Sequence, residues 1–435
     1  MPCRMISYQS KDDWKGIREL LAGRDNPENS VEPVVREILH HVHTEGDKAL
    51  VHYTQKFDCP SFTADMVQVS EETLACAASE IPAEDFEIIK EAAANIRSFH
   101  ENQKEKSWFT TSEDGTILGQ VVRPVDRAGL YVPGGKGGDT PLISSMLMNV
   151  IPAQVAGVED ICVVSPPRAD GVPNQYILAA AHHLGIKNVF ACGSAWAIAA
   201  LAYGTDTIPA VDVIAGPGNI FVTTAKRMFI GTVGIDMVAG PSEILILADN
   251  SGNPVQIAAD MLSQAEHDPL ASAILVTDSE QLAQRVCDEL ATQTGLLPRN
   301  DIASVALRDW SAIIVTPDID TAVELSNNVA PEHLEVLVED PWTLLPAIRN
   351  AGAIFMGANS PEPVGDYFAG PNHVLPTNGT ARFSSALSVE TFTKKSSIIA
   401  ASAAFTQKNA PKIARLARLE GLEAHARSAE TRLPK

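Results

Sequence analysis

Paired cysteines are missing from this 435-residue chain. Its six cysteines, Cys3, Cys59, Cys76, Cys162, Cys192 and Cys287, are scattered, and none forms a Cys-x-x-Cys pair. That spacing suggests neither a thiolate zinc site nor a thiol redox motif, and it leads us to expect a reduced, cytoplasmic chain. Cys162 and Cys192 lie in apolar strand-like runs, where a thiol acts as a small inert core residue. Positive charge is scarce as well: 33 Lys and Arg stand against 54 Asp and Glu, a net charge of -21. Such a field repels a phosphate backbone and an anionic bilayer, so neither nucleic acid nor a membrane is an expected partner. No apolar h-region opens the chain in "MPCRMISYQSKDDWKG", so a secretory signal is not expected. Two long uncharged runs, 140–158 and 188–205, are broken by Asn149, Pro152 and Gln154 and by Gly193 and Ser194. A bilayer demands a continuous apolar helix, so both runs read as buried elements. A Gly-x-Gly-x-x-Gly signature, internal repeats and low-complexity segments are absent too.

What remains is globular in composition: 45% hydrophobic and 20% charged residues, in a length that suits two or three domains. Residues 1–25 read as a polar lead-in. From 31 to 110 the pattern is helical. The "HHVH" cluster within it (His40, His41, His43) reads as a solvated helix face, because no carboxylate converges on it at matching spacing. From 129 strand-like and helical runs alternate, first through "GLYVP", "DICVVSP", "NVFACG" and "VDVIAGPGN". A second series runs from "ILILAD" through "ASAILVT", "SAIIVT", "LEVLVED", an expected helix over 342–350, and "GAIFMG". Two such series predict two parallel-sheet, incomplete Rossmann-like domains with helices on both faces. Ligands in such folds are expected outside the carboxyl ends of the strands. The tail from 388 reads as helical.

Several constellations bear chemistry. In "NNVAPEHLEVLVED" (327–340), Glu332 and His333 stand side by side before a run whose Leu334, Val336 and Val338 share a face. A carboxylate beside an imidazole is either an ordinary pair or a two-part proton-transfer device. Adjacent residues in an extended turn are expected to point to opposite sides. Two glycine-rich turns, "VPGGKGG" (132–138) and "AGPGN" (215–219), either admit a phosphate or simply make tight turns. Four of the eleven histidines, His267, His333, His373 and His425, have polar company. Gln264 and His267 share a helix face just before Pro269, Asp366 lies in "PVGDYFAGPNHVLPT", and His425 follows Glu420 by five residues. Such residues make either a zinc site with nitrogen and oxygen ligands or satisfied polar contacts at domain seams.

Taken in order, "GLYVPGG", "SSMLMNVIPAQVAGV", "AIAALAYGT", "GPGNIFVTTAKR", "GPSEILILAD", "SQAEHDP", "PEHLE", "GDYFAGPNHVLPT", "GTARFSSALSV" and "EGLEAHA" resemble the histidinol dehydrogenase family. The resemblance runs in register from about 31 to 428. It implies a zinc enzyme of histidine biosynthesis that oxidises L-histidinol to L-histidine through the aldehyde with two NAD+. It further implies an intertwined homodimer with one Zn2+ per subunit. By the same resemblance Gln264, His267, Asp366 and His425 hold the metal, with His425 lent by the partner subunit. Glu332 and His333 are the catalytic pair. Ser242, His373 and Glu420 contact substrate together with the metal ligands and His333. Tyr131 and Asn219 contact NAD. Trp196 stands where the family has a glutamine that touches the nucleotide, a departure that leaves the cofactor contact there open. The implied division is a segment 1–25, a larger α/β domain of 26–130 and 244–387, a nucleotide domain of 131–243 and a tail of 388–435 completing the partner's site. Three other readings compete: a related dehydrogenase of another small polar alcohol, a binder without catalysis, and a thiol-based aldehyde dehydrogenase. Retention of Glu332, His333 and every ligand disfavours the second. The third lacks a cysteine in an activating motif.

Overall fold

The computed structural model describes residues 2–22, 24 and 28–434. Its contacts divide the chain into two units, one of Met1–Gln103 and Asp126–Phe392, the other of Lys104–Val125 and Thr393–Lys435.

The first unit is α/β and contains two parallel sheets. The larger runs in the order Arg4–Ser7, Ala312–Val315, Ser272–Thr277, Glu243–Ala248, His333–Leu337 and Ala353–Met356. Every neighbouring pair is parallel. In Glu243–Ala248, Ile244, Ile246 and Ala248 enter one core cluster while Leu245 and Leu247 enter another on the opposite face. That two-sided burial is why the strand reads as a continuous apolar run. The same cover buries all of His333–Leu337, the face of Glu335 as well as that of Leu334 and Val336. The expectation that residues 1–25 stand apart is corrected, because Arg4–Ser7 is the edge strand beside Ala312–Val315. Four residues with no apolar run carry too little pattern to read as a strand.

The smaller sheet runs in the order Asn188–Ala191, Asp160–Ser165, Arg127–Tyr131, Val213–Ala215 and Gly234–Ile235, again all parallel. Helices Glu28–Glu45, Asp47–Phe57, Glu71–Glu80 and Ala83–Glu101 pack against helices of this sheet. Residues 28–101 therefore flank the smaller sheet, where the sequence grouped them with the larger domain. A stripe such as Val35, Ile38, Leu39 and Val42 says that a helix face is buried but not against what. The expected helix at 342–350 is also corrected. It is two 3-10 turns, Pro341–Thr343 and Leu345–Ala347, because Pro346 in mid-run removes a helical N–H and clashes with the preceding turn.

The second unit has an antiparallel sheet in which Thr393–Ala400 and Trp108–Thr111 flank Ile117–Pro124. The tail, read as helical from 388, thus opens with a 3-10 turn, Val389–Phe392, and the strand Thr393–Ala400 before any α-helix. Helices Ala403–Leu419 and Glu423–Glu430 follow and close on a cluster of Ala414, Ala417 and Ala426. Arg418 ties them together by pairing with Glu423 and Glu430. No helix among the described residues is long and apolar enough to cross a membrane.

Candidate active site

His333 opens the strand His333–Leu337, and Glu243 opens its neighbour Glu243–Ala248. The site is therefore at the amino ends of the larger sheet, not at the carboxyl ends expected of such folds. Helix polarity gives a reason. Helices Pro254–Ala265 and Ile319–Val329 end just before His267 and Glu332, so their carboxyl ends arrive on this side. A helix carboxyl end carries about half a negative charge, which favours a cation.

Glu332 and His333 do not point apart. The Glu243 N–H donates to Glu332 Oε2 at 2.8 Å, and His333 Nδ1 donates to the Glu243 carbonyl at 2.9 Å. Glu332 Oε2 lies 3.7 Å from His333 Nδ1. The backbone N–H and carbonyl of one residue, Glu243, thus hold both groups, and the carbonyl fixes the proton on Nδ1. His333 Nε2 is buried without a hydrogen-bond partner. It faces Asp366 Oδ1 at 3.6 Å and Glu362 Oε1 at 3.9 Å.

Ligand atoms of His333, Glu362 and Asp366 lie within 4.8 Å of one another. Glu362 and Asp366 share a face of the short helix Glu362–Tyr367, one turn apart. Gln264 is fully buried; with its amide nitrogen turned toward Glu362 it donates to both carboxylate oxygens, at 2.6 and 2.9 Å. Its oxygen is then the atom available to a metal. His267 lies just beyond its helix, held by a hydrogen bond from its N–H to the Gln264 carbonyl, and is exposed. The cluster is electrostatically loaded. Burial pushes the Glu332 carboxyl up to about 8 and that of Glu362 up to about 7. Burial lowers His333, but Glu332, Glu362 and Asp366 outweigh it and raise the imidazole to about 10. Burial also works against ionised Asp366, yet the imidazoles of His333, His373 and His267 hold it below the usual carboxylate value. Crowded acids around an unpartnered imidazole nitrogen, with a nitrogen and oxygen donor set, fit a divalent cation such as zinc.

A cavity of about 420 Å³ reaches Asp366 and His373 along Gly352–Met356. Ser242 precedes the strand that starts at Glu243. Glu420 and His425 belong to the second unit, where both are exposed. Sequence reasoning missed Glu362, Glu335 and Glu243. The readable signal was a carboxylate inside or at the start of an apolar strand, and a Glu one turn before Asp366. Glu335 is fully buried in its strand, accepts the Glu362 N–H at 2.8 Å and is pushed up to about 9 by burial and by Asp260.

The smaller sheet offers a second place for chemistry. Its chain order reverses between Arg127–Tyr131 and Val213–Ala215, the switch point where such sheets hold ligands at their carboxyl ends. Tyr131 ends the first of these strands, and its hydroxyl accepts the Ser194 N–H at 3.2 Å. Gly216–Asn219 follows the second. Asn219 is exposed and caps helix Ile220–Met228 through the N–H groups of Phe221 and Val222. Gly216 has φ +119°, and a Cβ there would stand 2.1 Å from the Tyr131 carbonyl oxygen. Trp196 is 4% exposed and stacks on Tyr53 and Phe57, with centroids 5.7 and 5.6 Å away. Its indole faces serve packing.

A profile described as histidinol dehydrogenase matches residues 22–433. The chain is 69% identical to histidinol dehydrogenase of Oleidesulfovibrio alaskensis over 433 residues, covering 100% of both. It is 65% identical to that of Nitratidesulfovibrio vulgaris, covering 99% of both. The crystal structure of histidinol dehydrogenase from Elizabethkingia anophelis superposes with a TM-score of 0.91 at 37% identity, covering 99% of this chain and 98% of that one. The chain belongs to the histidinol dehydrogenase family.

Proposed function

We propose that this NAD-dependent oxidoreductase is zinc-dependent and converts L-histidinol to L-histidine by two oxidations at one carbon. L-histidinol, two NAD+ and one water give L-histidine, two NADH and three protons, the closing steps of histidine biosynthesis. The observation that carries the reading is His333. Its Nδ1 is committed to the Glu243 carbonyl, and its Nε2 is bare among acids. Those acids favour the protonated ring; with their charge offset by a bound divalent cation, Nε2 would be free to take the alcohol proton. Glu332, raised toward neutrality by burial, takes the proton of the water that adds to the aldehyde. Gln264, His267 and Asp366 hold the metal, with His425 from a second copy. When bound, zinc supplies a template for the imidazole and amine of histidinol and a Lewis acid at the reacting oxygen. Ser242, His373 and the second copy's Glu420 bind the substrate. The turn Gly216–Asn219, with Tyr131, would hold NAD, which would supply the hydride acceptor for both oxidations. Retaining the aldehyde requires a site closed to bulk solvent while it admits one reacting water, and a tail lent by a second copy would provide the closure.

Incubation with L-histidinol and NAD+ should yield two NADH per histidine. Chelation should abolish turnover and zinc should restore it, while His267→Asn should lose both metal and turnover and His41→Asn neither. Full activity in metal-free protein would end the zinc reading. Oxidation of another small polar alcohol in preference to histidinol would favour the related-dehydrogenase alternative.

A further inference from the structure

Arg24 lies in the segment that reads as a lead-in, yet it is 2% exposed. Its guanidinium uses four donors at once. Nε donates to the Leu270 carbonyl at 2.9 Å, Nη1 to Glu243 Oε1 at 2.8 Å, and Nη2 to the carbonyls of Pro241 at 2.9 Å and Ser242 at 3.2 Å. The Glu243 carboxylate is buried as well and accepts the Asn378 N–H at 3.1 Å. Glu243 is the residue whose N–H holds Glu332 and whose carbonyl fixes the His333 tautomer. Leu270 is three residues past His267, and Ser242 is itself one of the residues gripped. One planar fork therefore clasps the two segments that carry Ser242 and His267 and neutralises the acid whose backbone N–H and carbonyl orient the catalytic pair. A lysine could hold the charge but not the fork.

We propose that Arg24 is a positioning residue, acting through Glu243 to hold Glu332 and His333 in register with the segments of Ser242 and His267. The inference rests on reading Glu332 and His333 as the catalytic pair. Misplacement of a reacting group by about 1 Å costs on the order of 100-fold in rate, so loosening this clasp is read in kcat.

The test uses the zinc-loaded, full-length protein as parent, Arg24→Lys, and the double variant Arg24→Met/Glu243→Gln, which removes both buried charges together. Two readouts are taken per folded molecule. The first is kcat and KM for L-histidinol. The second is the nuclear magnetic resonance signal of the His333 Nδ1 proton in ¹⁵N-histidine-labelled protein, assigned by its loss in His333→Asn. Arg24→Lys is expected to lower kcat by about 10- to 100-fold with KM within about twofold, and to shift or lose the Nδ1 signal. The double variant is expected to regain thermal stability without regaining kcat. An unchanged Nδ1 signal with unchanged kcat in folded Arg24→Lys overturns the proposal, as does failure of both variants to fold, which would make Arg24 a folding residue. A parent that ignores histidinol defeats the functional reading instead, and the Nδ1 signal still decides the positioning claim.

Discussion

Glu332 and His333 are both held by the backbone of Glu243, one through its N–H and the other through its carbonyl, but face different groups, so their substitution should separate the two oxidations. Glu332→Gln keeps shape and can still accept the Glu243 N–H, but it cannot take a proton at neutral pH. Loss of a positioned base costs about 10²–10⁴-fold in the step it serves. Single-turnover NADH formation should therefore fall by that order with L-histidinaldehyde and far less with L-histidinol. His333→Asn should slow the alcohol step too. Parent-rate aldehyde oxidation by Glu332→Gln would remove the water-activating role. At this scale the sequence was legible where chemistry was adjacent or where motifs kept their order, as in "PEHLE", "SQAEHDP" and "GDYFAG". It was silent on Arg24 with Glu243 and on Gln264 with Glu362. Those pairs are joined by tertiary hydrogen bonds between residues 219 and 98 positions apart, and no local pattern records such distances.

The turn after Val213–Ala215 shows what an element demands of its sequence. Lys226 Nζ donates to the Gly216 carbonyl at 2.9 Å, and the Gly216 N–H donates to Asp236 Oδ2 at 2.8 Å. Lys226 and Asp236 are themselves a buried ion pair. A side chain at 216 is barred twice, by φ +119° and by the Tyr131 carbonyl. Gly216→Ala should cost more than about 1 kcal/mol of stability and displace both Tyr131 and Asn219. The expected result is a KM for NAD+ raised about 10-fold or more, with the zinc content unchanged; an unaltered KM would mean that nucleotide binds elsewhere. Elements with dense apolar runs, such as "ILILAD" and "SAILVT", were legible because burial on both faces leaves little other reading. Helix Asn300–Trp310 and strand Thr393–Ala400 were not. The strand's partner, Ile117–Pro124, is nearly 280 residues away, and its own "TKKSSIIA" leaves most side chains exposed.

At the scale of the molecule, our proposal places the two ligands at opposite ends of the two sheets. The smaller offers helix amino ends, which would suit the phosphates of NAD; the larger offers helix carboxyl ends, which would suit a cation. The tail belongs to the second unit, and our reading gives it to a neighbour. Two inactive proteins, Glu332→Gln/His333→Asn and His425→Asn, should then recover part of the parental activity after subunit exchange, since one mixed site unites an intact body with an intact tail. Verified exchange without recovery would return the tail to its own chain. The helices of that unit close on three alanines, while Ile399, Leu416 and Leu419 are 76%, 63% and 64% exposed. A unit so thinly packed draws its order from whatever covers it, and concentration then enters its folding as a reactant. Specific activity should fall on serial dilution. Where the chain falls well below the dissociation constant of the pair, the concentration of pairs follows the square of chain concentration, so halving the chain there would cut activity about fourfold.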